Sequence, residues 1–239
     1  MADAGPAQAE RVLTERVLAE RVLAELTALA PRLAALGAAL GLARVDEPAA
    51  PRPAPGEAAL AAPMHPTRRR EFLAGRRALH RAMATAGLPP AEVLRDGRRP
   101  LLPEGCAASI SHSGGLAVAL AGPGPRLRAL GCDLELHALP LAAAHLVLGP
   151  GERARLRTVA DPATAERDLL ATFSAKEAAF KAFSALLPGD RAPSLLLDLT
   201  AAPVPGGLRV RSRRHPSAAV HVHVHPTALG VFTWTAVPG

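Results

Sequence analysis

Between Glu10 and Ala24 the apolar residues recur in a five-residue unit, ERVLT-ERVLA-ERVLA. At 3.6 residues per turn, five residues rotate a helix by about 500°, so Val and Leu spread around the axis instead of lining one face. Residues 1–45 therefore read as a helical, low-complexity extension without chemistry of its own. Over residues 46–66, DEPAAPRPAPGEAALAAPMHP, periodicity gives way to Pro and Ala, the composition of a linker or surface loop. A helical period returns after Thr67, a candidate cap for a helix over 68–86 that faces Phe72, Leu79 and Met83 to a core and stops at Gly87 and Pro89-Pro90. The period then shortens to two. Segments 107–111 and 116–121 flank a Ser113-Gly114-Gly115 turn as a hairpin, and 130–136 alternates after the Gly122–Pro125 breaker. A second long helix is expected over 163–187, and strands over 195–199, 207–212, 218–225 and 229–237. Helices and strands follow no regular βαβ rhythm, which predicts an α+β fold.

Composition sharpens this picture. The chain has 239 residues, 3% aromatics and no Tyr, so its core must be built from small aliphatic side chains and its helices should be Ala-rich. A formal net charge of +7 points to an acidic partner or a phosphate-bearing ligand. Nucleic acid fits less well, because the basic residues are scattered and few aromatics exist to stack on bases. Cys106 and Cys132 have neither the number nor the spacing of a disulfide framework or a metal site, which suits a reducing cytoplasm. No apolar run approaches the roughly 18 residues a membrane span needs, and the N-terminus lacks a secretory leader pattern, so a soluble cytosolic protein is expected.

Candidate chemistry gathers in four places. A strand over 131–136 places Asp133 and Glu135 on one face, where they repel unless a cation or a proton intervenes, and hard oxygen donors suit Mg²⁺. A solvent-facing acidic pair is the plainer alternative. On the second long helix Glu177 shares a face with Phe173 and Phe180, and a salt bridge to Lys181 one turn on would satisfy it. Against that simple reading, only Lys176 and Lys181 of the 28 basic residues are lysine. A compact ammonium with a movable pKa is wanted beside Glu177, where a guanidinium would not serve. Ser111-His112-Ser113 before Gly114-Gly115 offers hydroxyls, an imidazole and turn amides as a phosphate nest. Arg68-Arg69-Arg70 with Arg76 and Arg77 form either a phosphate clamp or solvated surface charge. Finally, His221, His223 and His225 share one face of a predicted strand. They could mimic a tri-histidine zinc site, but no second shell is evident, and a solvent-facing strand is expected.

Taken in order, RRREFLAGR (68–76), GRRPLLPEG (97–105), SISHSGG (109–115), GCDLE (131–135) and FSAKEAAFKAF (173–183) resemble the phosphopantetheinyl transferases of the surfactin and enterobactin synthetase type. The resemblance implies two similar α+β halves, 67–125 and 126–239, with coenzyme A in the cleft between them and the metal site in the second half. It implies that Asp133, Glu135 and Glu177 hold Mg²⁺ against the coenzyme pyrophosphate, which Lys181 also contacts. Arg76, Arg99, Ser111 and His112, with Arg68, would meet the phosphates and the adenosine end. Glu177, or a water beside it, would deprotonate a serine of an acidic apo acyl or peptidyl carrier protein, and Lys176 would assist. The products would be the holo-carrier and 3′,5′-adenosine bisphosphate. A monomer is implied, since one chain supplies both halves. A non-catalytic module that binds coenzyme A or a carrier is the alternative. The chain departs from the enterobactin type at His80, where a second arginine is common.

Overall fold

A computed structural model describes residues 6–48, 52–97, 99–187 and 189–239. The chain opens with α1 (Pro6–Thr27), α2 (Ala30–Ala35) and β1 (Ala39–Arg44). It continues with α3 (Pro55–Ala61), α4 (Pro66–Thr85), and the small hairpin β2 (Leu94–Asp96) and β3 (Arg99–Leu101). Three longer strands follow, β4 (Cys106–Ser113), β5 (Leu116–Pro123) and β6 (Leu127–Glu135). The short helices α5 (Ala144–Val147) and α6 (Pro150–Leu156) lead into the long α7 (Pro162–Leu186). The chain ends with β7 (Leu199–Val204), β8 (Gly207–Ser212), β9 (Ala219–Pro226) and β10 (Val231–Pro238).

The architecture is α+β, and one packing arrangement occurs twice. An antiparallel sheet of order β1-β5-β4 carries α4, and a second of order β6-β10-β9-β8-β7 carries α7. Each long helix sits unusually close to its sheet because a glycine lies beneath it. A side-chain carbon at Gly41 of β1 would collide with Ala78 O of α4, and one at Gly131 of β6 would collide with Ala178 O of α7. The Ala-rich composition thus serves a purpose: small residues on both surfaces let α4 and α7 approach their strands backbone to backbone. Asp161 caps α7, its carboxylate accepting the amide of Thr164 at 2.9 Å.

Three sequence-based expectations change. The N-terminal segment is not a detached extension, since β1 is an edge strand of the first sheet. In addition, Val22, Leu26, Leu29 and Leu33 enter the same core as Leu134, Phe232 and Trp234. Their i, i+4, i+7 spacing is an ordinary apolar stripe that begins inside the last pentad and runs on past it. Within the stretch read as a linker, Pro55 opens α3, and Glu57, only 1% exposed, is folded into the protein. Residues 196–198 form a 3₁₀ turn where a strand was expected, because the Asp198 carboxylate accepts the amides of Ser194 (2.8 Å) and Leu195 (3.0 Å) and bends the chain.

The three histidines of β9 do not form an open solvent face. The His223 ring stacks on His221 (4.6 Å) and on Trp234 (5.1 Å). Arg32 of α2 lies over the Trp234 ring at 5.2 Å, with Nη2 3.1 Å from His223 Nδ1. Among the described residues no three His, Cys, Asp or Glu side chains form a group able to enclose a metal ion, and no helix is long and apolar enough to cross a membrane.

Candidate active site

Strand β6 runs beneath α7 and delivers Asp133 and Glu135 at its C-terminal end. Asp133 is only 3% exposed. Its Oδ1 accepts from Ser111 Oγ of β4 at 2.9 Å and from Lys181 Nζ of α7 at 2.8 Å. Lys181 also donates to Cys132 O at 2.8 Å, so one ammonium ties α7 to the strand at the carboxylate. The other oxygen, Asp133 Oδ2, is buried without a protein partner. A desolvated carboxylate oxygen left this way is costly unless the site is completed by a cation or a donor.

Glu135 and Glu177 supply the rest of the negative wall. Burial, then repulsion from Asp133 and Glu177, push the Glu135 carboxyl up to about 7. Burial disfavours the charge of Lys181, but Asp133 overcomes this and holds its pKa above the ordinary lysine value. The adjoining Cys132 thiol is raised by burial to about 11 and is inert at neutral pH. Asp133 and Glu135 on β6, with Glu177 across from them on α7, are hard oxygen donors of the kind that suit a cation such as Mg²⁺. That ion commonly takes one or two protein carboxylates and completes its shell with water and substrate phosphates, so no closed protein cage is required.

The opposite edge of the site is basic. Arg68 Nη1 of α4 lies 2.5 Å from His112 Nε2, and Glu71 stands behind both, 3.5 Å from Arg68 and 4.0 Å from His112 Nδ1. Burial, then the charges of Arg68 and, more weakly, Lys181, lower the His112 pKa. The positive charge of His112 is held down beside Arg68, and an anion bound between the two would relieve it.

Glu135 provides a pH test. Its folded pKa is about 7 against an ordinary value of 4.5. The folded chain therefore keeps a proton that the unfolded chain releases, and stability falls as pH rises from about 4.5 through 7, then levels off. After allowance for solvent screening of this half-buried group, the metal-free protein should lose about 5 °C of Tm between pH 5 and 7.5 relative to Glu135→Gln. Parallel curves for the two proteins in thermal melts would contradict this assignment.

The structure brings Ser111, Asp133, Glu135, Glu177 and Lys181 together, with His112 and Arg68 at their edge. Three expected residues stand apart. Lys176 points away from the cluster and bonds to Glu152 Oε2 at 2.7 Å, so it has no direct place in the chemistry. Arg76 is buried against Phe72 and donates to Val93 O (2.8 Å) and Leu94 O (3.0 Å). Arg99 lies exposed on the β2–β3 hairpin. Sequence reasoning missed Glu71, Glu57 and Glu152. For the last two a signal existed: Pro55-Gly56-Glu57 and Pro150-Gly151-Glu152 are the same tripeptide, each opening a short helix ahead of a long one.

A helix-on-sheet unit is used twice in this α+β protein, with an acidic and lysine-bearing site on the second copy facing a basic edge on the first. Comparison with known proteins makes this specific. A family model for the 4′-phosphopantetheinyl transferase N-terminal domain matches residues 56–122, and one for the 4′-phosphopantetheinyl transferase superfamily matches residues 129–228. The 4′-phosphopantetheinyl transferase PptT of Mycobacterium tuberculosis is 36% identical over 141 residues, 58% of this chain and 61% of the relative. The 4′-phosphopantetheinyl transferase Npt of Nocardia iowensis is 35% identical over 131 residues, 54% of this chain and 58% of the relative. The chain belongs to the 4′-phosphopantetheinyl transferase superfamily, and its matches span about three-fifths of the length of these two curated relatives.

Proposed function

We propose that this chain transfers the 4′-phosphopantetheine group of coenzyme A to a serine of an apo acyl or peptidyl carrier protein, with Mg²⁺, as enzymes of the surfactin and enterobactin synthetase type do. The observation that carries the reading is Asp133, buried, with one oxygen fixed by Ser111 and Lys181 and the other unpartnered beside Glu135. Mg²⁺ held by Asp133, Glu135 and Glu177 would neutralise the pyrophosphate and the charge that builds on it. Arg68, Ser111 and His112 receive the phosphates, and Arg99, exposed on the β2–β3 hairpin, would meet the adenosine end.

The residues then divide the work. Glu177, directly or through a water, takes the proton of the carrier serine. The serine oxygen bonds to the β-phosphorus as the bridging bond to the α-phosphate breaks, and 3′,5′-adenosine bisphosphate leaves with that oxygen. Lys181, held on Cys132 O, places a fixed positive charge where the phosphoryl oxygens gain electron density. A net charge of +7 supports an acidic carrier as partner, the cysteines without disulfides support a cytoplasmic location, and the presence of both halves in one chain supports a monomer. Chromatographic assay of nucleotide products tests the chemistry. One equivalent of 3′,5′-adenosine bisphosphate per apo-carrier consumed is expected. Coenzyme A that binds yet stays intact in the presence of several apo-carriers would instead identify a binding module.

A further inference from the structure

Only one of the two lysines lies on the active site, so the other needs its own explanation. Lys176 is 0% exposed. Its Nζ donates to Glu152 Oε2 at 2.7 Å and to Val147 O at 2.8 Å. Glu152 also accepts the amide of Gly149 on Oε2 (2.7 Å) and that of Ala201 on Oε1 (2.6 Å). One buried ion pair therefore joins the α5–α6 corner, strand β7 and helix α7. An ammonium brings three donors, whereas a guanidinium would bring five in a rigid fork, more than a sealed pocket with these two acceptors can satisfy. Lysine fits here for that reason, in a chain whose basic residues, Lys181 apart, are otherwise arginine. Buried ion pairs add little net stability over apolar packing of the same volume, so stability alone does not explain this one.

Its position does. Lys176 immediately precedes Glu177, and it lies two residues before Ala178, the point where α7 rests on Gly131. The first half repeats the device: Glu57 accepts the amide of Val93 at 3.0 Å and lies 2.8 Å from His80 Nε2. Arg76, two residues before the Ala78 contact with Gly41, donates to Val93 O. In both halves a glutamate from a Pro-Gly-Glu helix start and basic residues of the long helix tie that helix to its flanking segments: Glu152 and Val147 ahead of α7 in the second half, and Glu57 ahead of α4 with Val93 after it in the first. In the second half, the helix so locked carries the active site.

We infer that Glu152 and Lys176 are positioning residues that fix the placement of α7, and through it of Glu177 and Lys181 against Asp133. The inference rests on the proposed function only for its catalytic readout. Two variants test it. Lys176→Met combined with Glu152→Gln removes both charges, and Glu152→Asp keeps both but shortens the link by one methylene. With thermal melts as the control for folding, three quantities are compared with the unaltered protein: amide exchange over residues 173–181 of the metal-free protein, Mn²⁺ affinity in the presence of coenzyme A, and transfer kinetics. Expected are faster exchange over that stretch, about tenfold weaker Mn²⁺ binding, the loss typical of disturbing a group behind a metal ligand, and a fall in kcat with KM for coenzyme A unchanged. Wild-type exchange and Mn²⁺ affinity in folded variants would overturn it. Failure of both variants to fold would overturn it too, since the pair would then serve folding and not site geometry. If the unaltered protein neither bound Mn²⁺ nor transferred, the functional proposal would fail, while the exchange measurement would still decide the positioning of α7.

Discussion

On the proposed function, Asp133→Asn is expected to lower phosphopantetheine transfer by about 10²–10³-fold, the scale seen when one preorganised electrostatic contact to a transition state is removed. The substitution is nearly isosteric, and an amide oxygen can still accept from Ser111 Oγ and Lys181 Nζ, which both bond Asp133 Oδ1. What disappears is the charge, together with the buried acceptor Oδ2 that has no partner in the protein. Coenzyme A binding should change far less than turnover, because the basic edge of Arg68 and His112 is untouched. Removal of the repulsion from Asp133 should also bring the Glu135 carboxyl down from about 7, a change that carboxyl chemical shifts can follow. Full transfer by Asp133→Asn would place the reaction centre elsewhere.

Gly131→Ala is expected to lower both stability and transfer. The new methyl group would collide with Ala178 O and lie 3.2 Å from Ala182 Cβ. The obstacle is helix backbone, so relief requires α7 to lift from β6. Overpacking of this kind costs about 1–3 kcal/mol, or about 2–12 °C of Tm for a chain of this length. Because Lys181 reaches Cys132 O from α7, the lift should also impair transfer. Gly41→Ala is the matched control: its methyl group would meet Ala78 O and come within 2.6 Å of Ala82 N under α4. It should cost comparable stability, with a much smaller loss of turnover, since no carboxylate of the site stands on that strand. Equal loss of activity in both variants would mean that the two helices act on the site as one unit.

Much of the site is written in local periodicity. The alternation of β6 places Asp133 and Glu135 together, and i, i+4 spacing joins Glu177 to Lys181; both follow from the chain itself. Lys176 could have been separated from Lys181 by the same arithmetic, because five residues turn a helix by about 140° net and the two lysines cannot share a face. Their shared rarity suggested a common role that helical geometry denies. The partners of Lys176 and Arg76 were not legible, because Glu152, Val147 and Val93 meet them through tertiary packing that no local period encodes. Strand β1 was hidden for a related reason: a short Leu- and Ala-rich segment becomes a strand only by pairing with β5, seventy-odd positions later in the chain.

The most direct test of the account is the intact mass of a panel of apo carrier proteins after incubation with this protein, coenzyme A and Mg²⁺, with and without EDTA. At least one carrier should gain the mass of a single phosphopantetheine arm on a serine, and chelation or Asp133→Asn should prevent the gain. An unchanged mass for every carrier, from a folded protein that binds coenzyme A, would contradict the account.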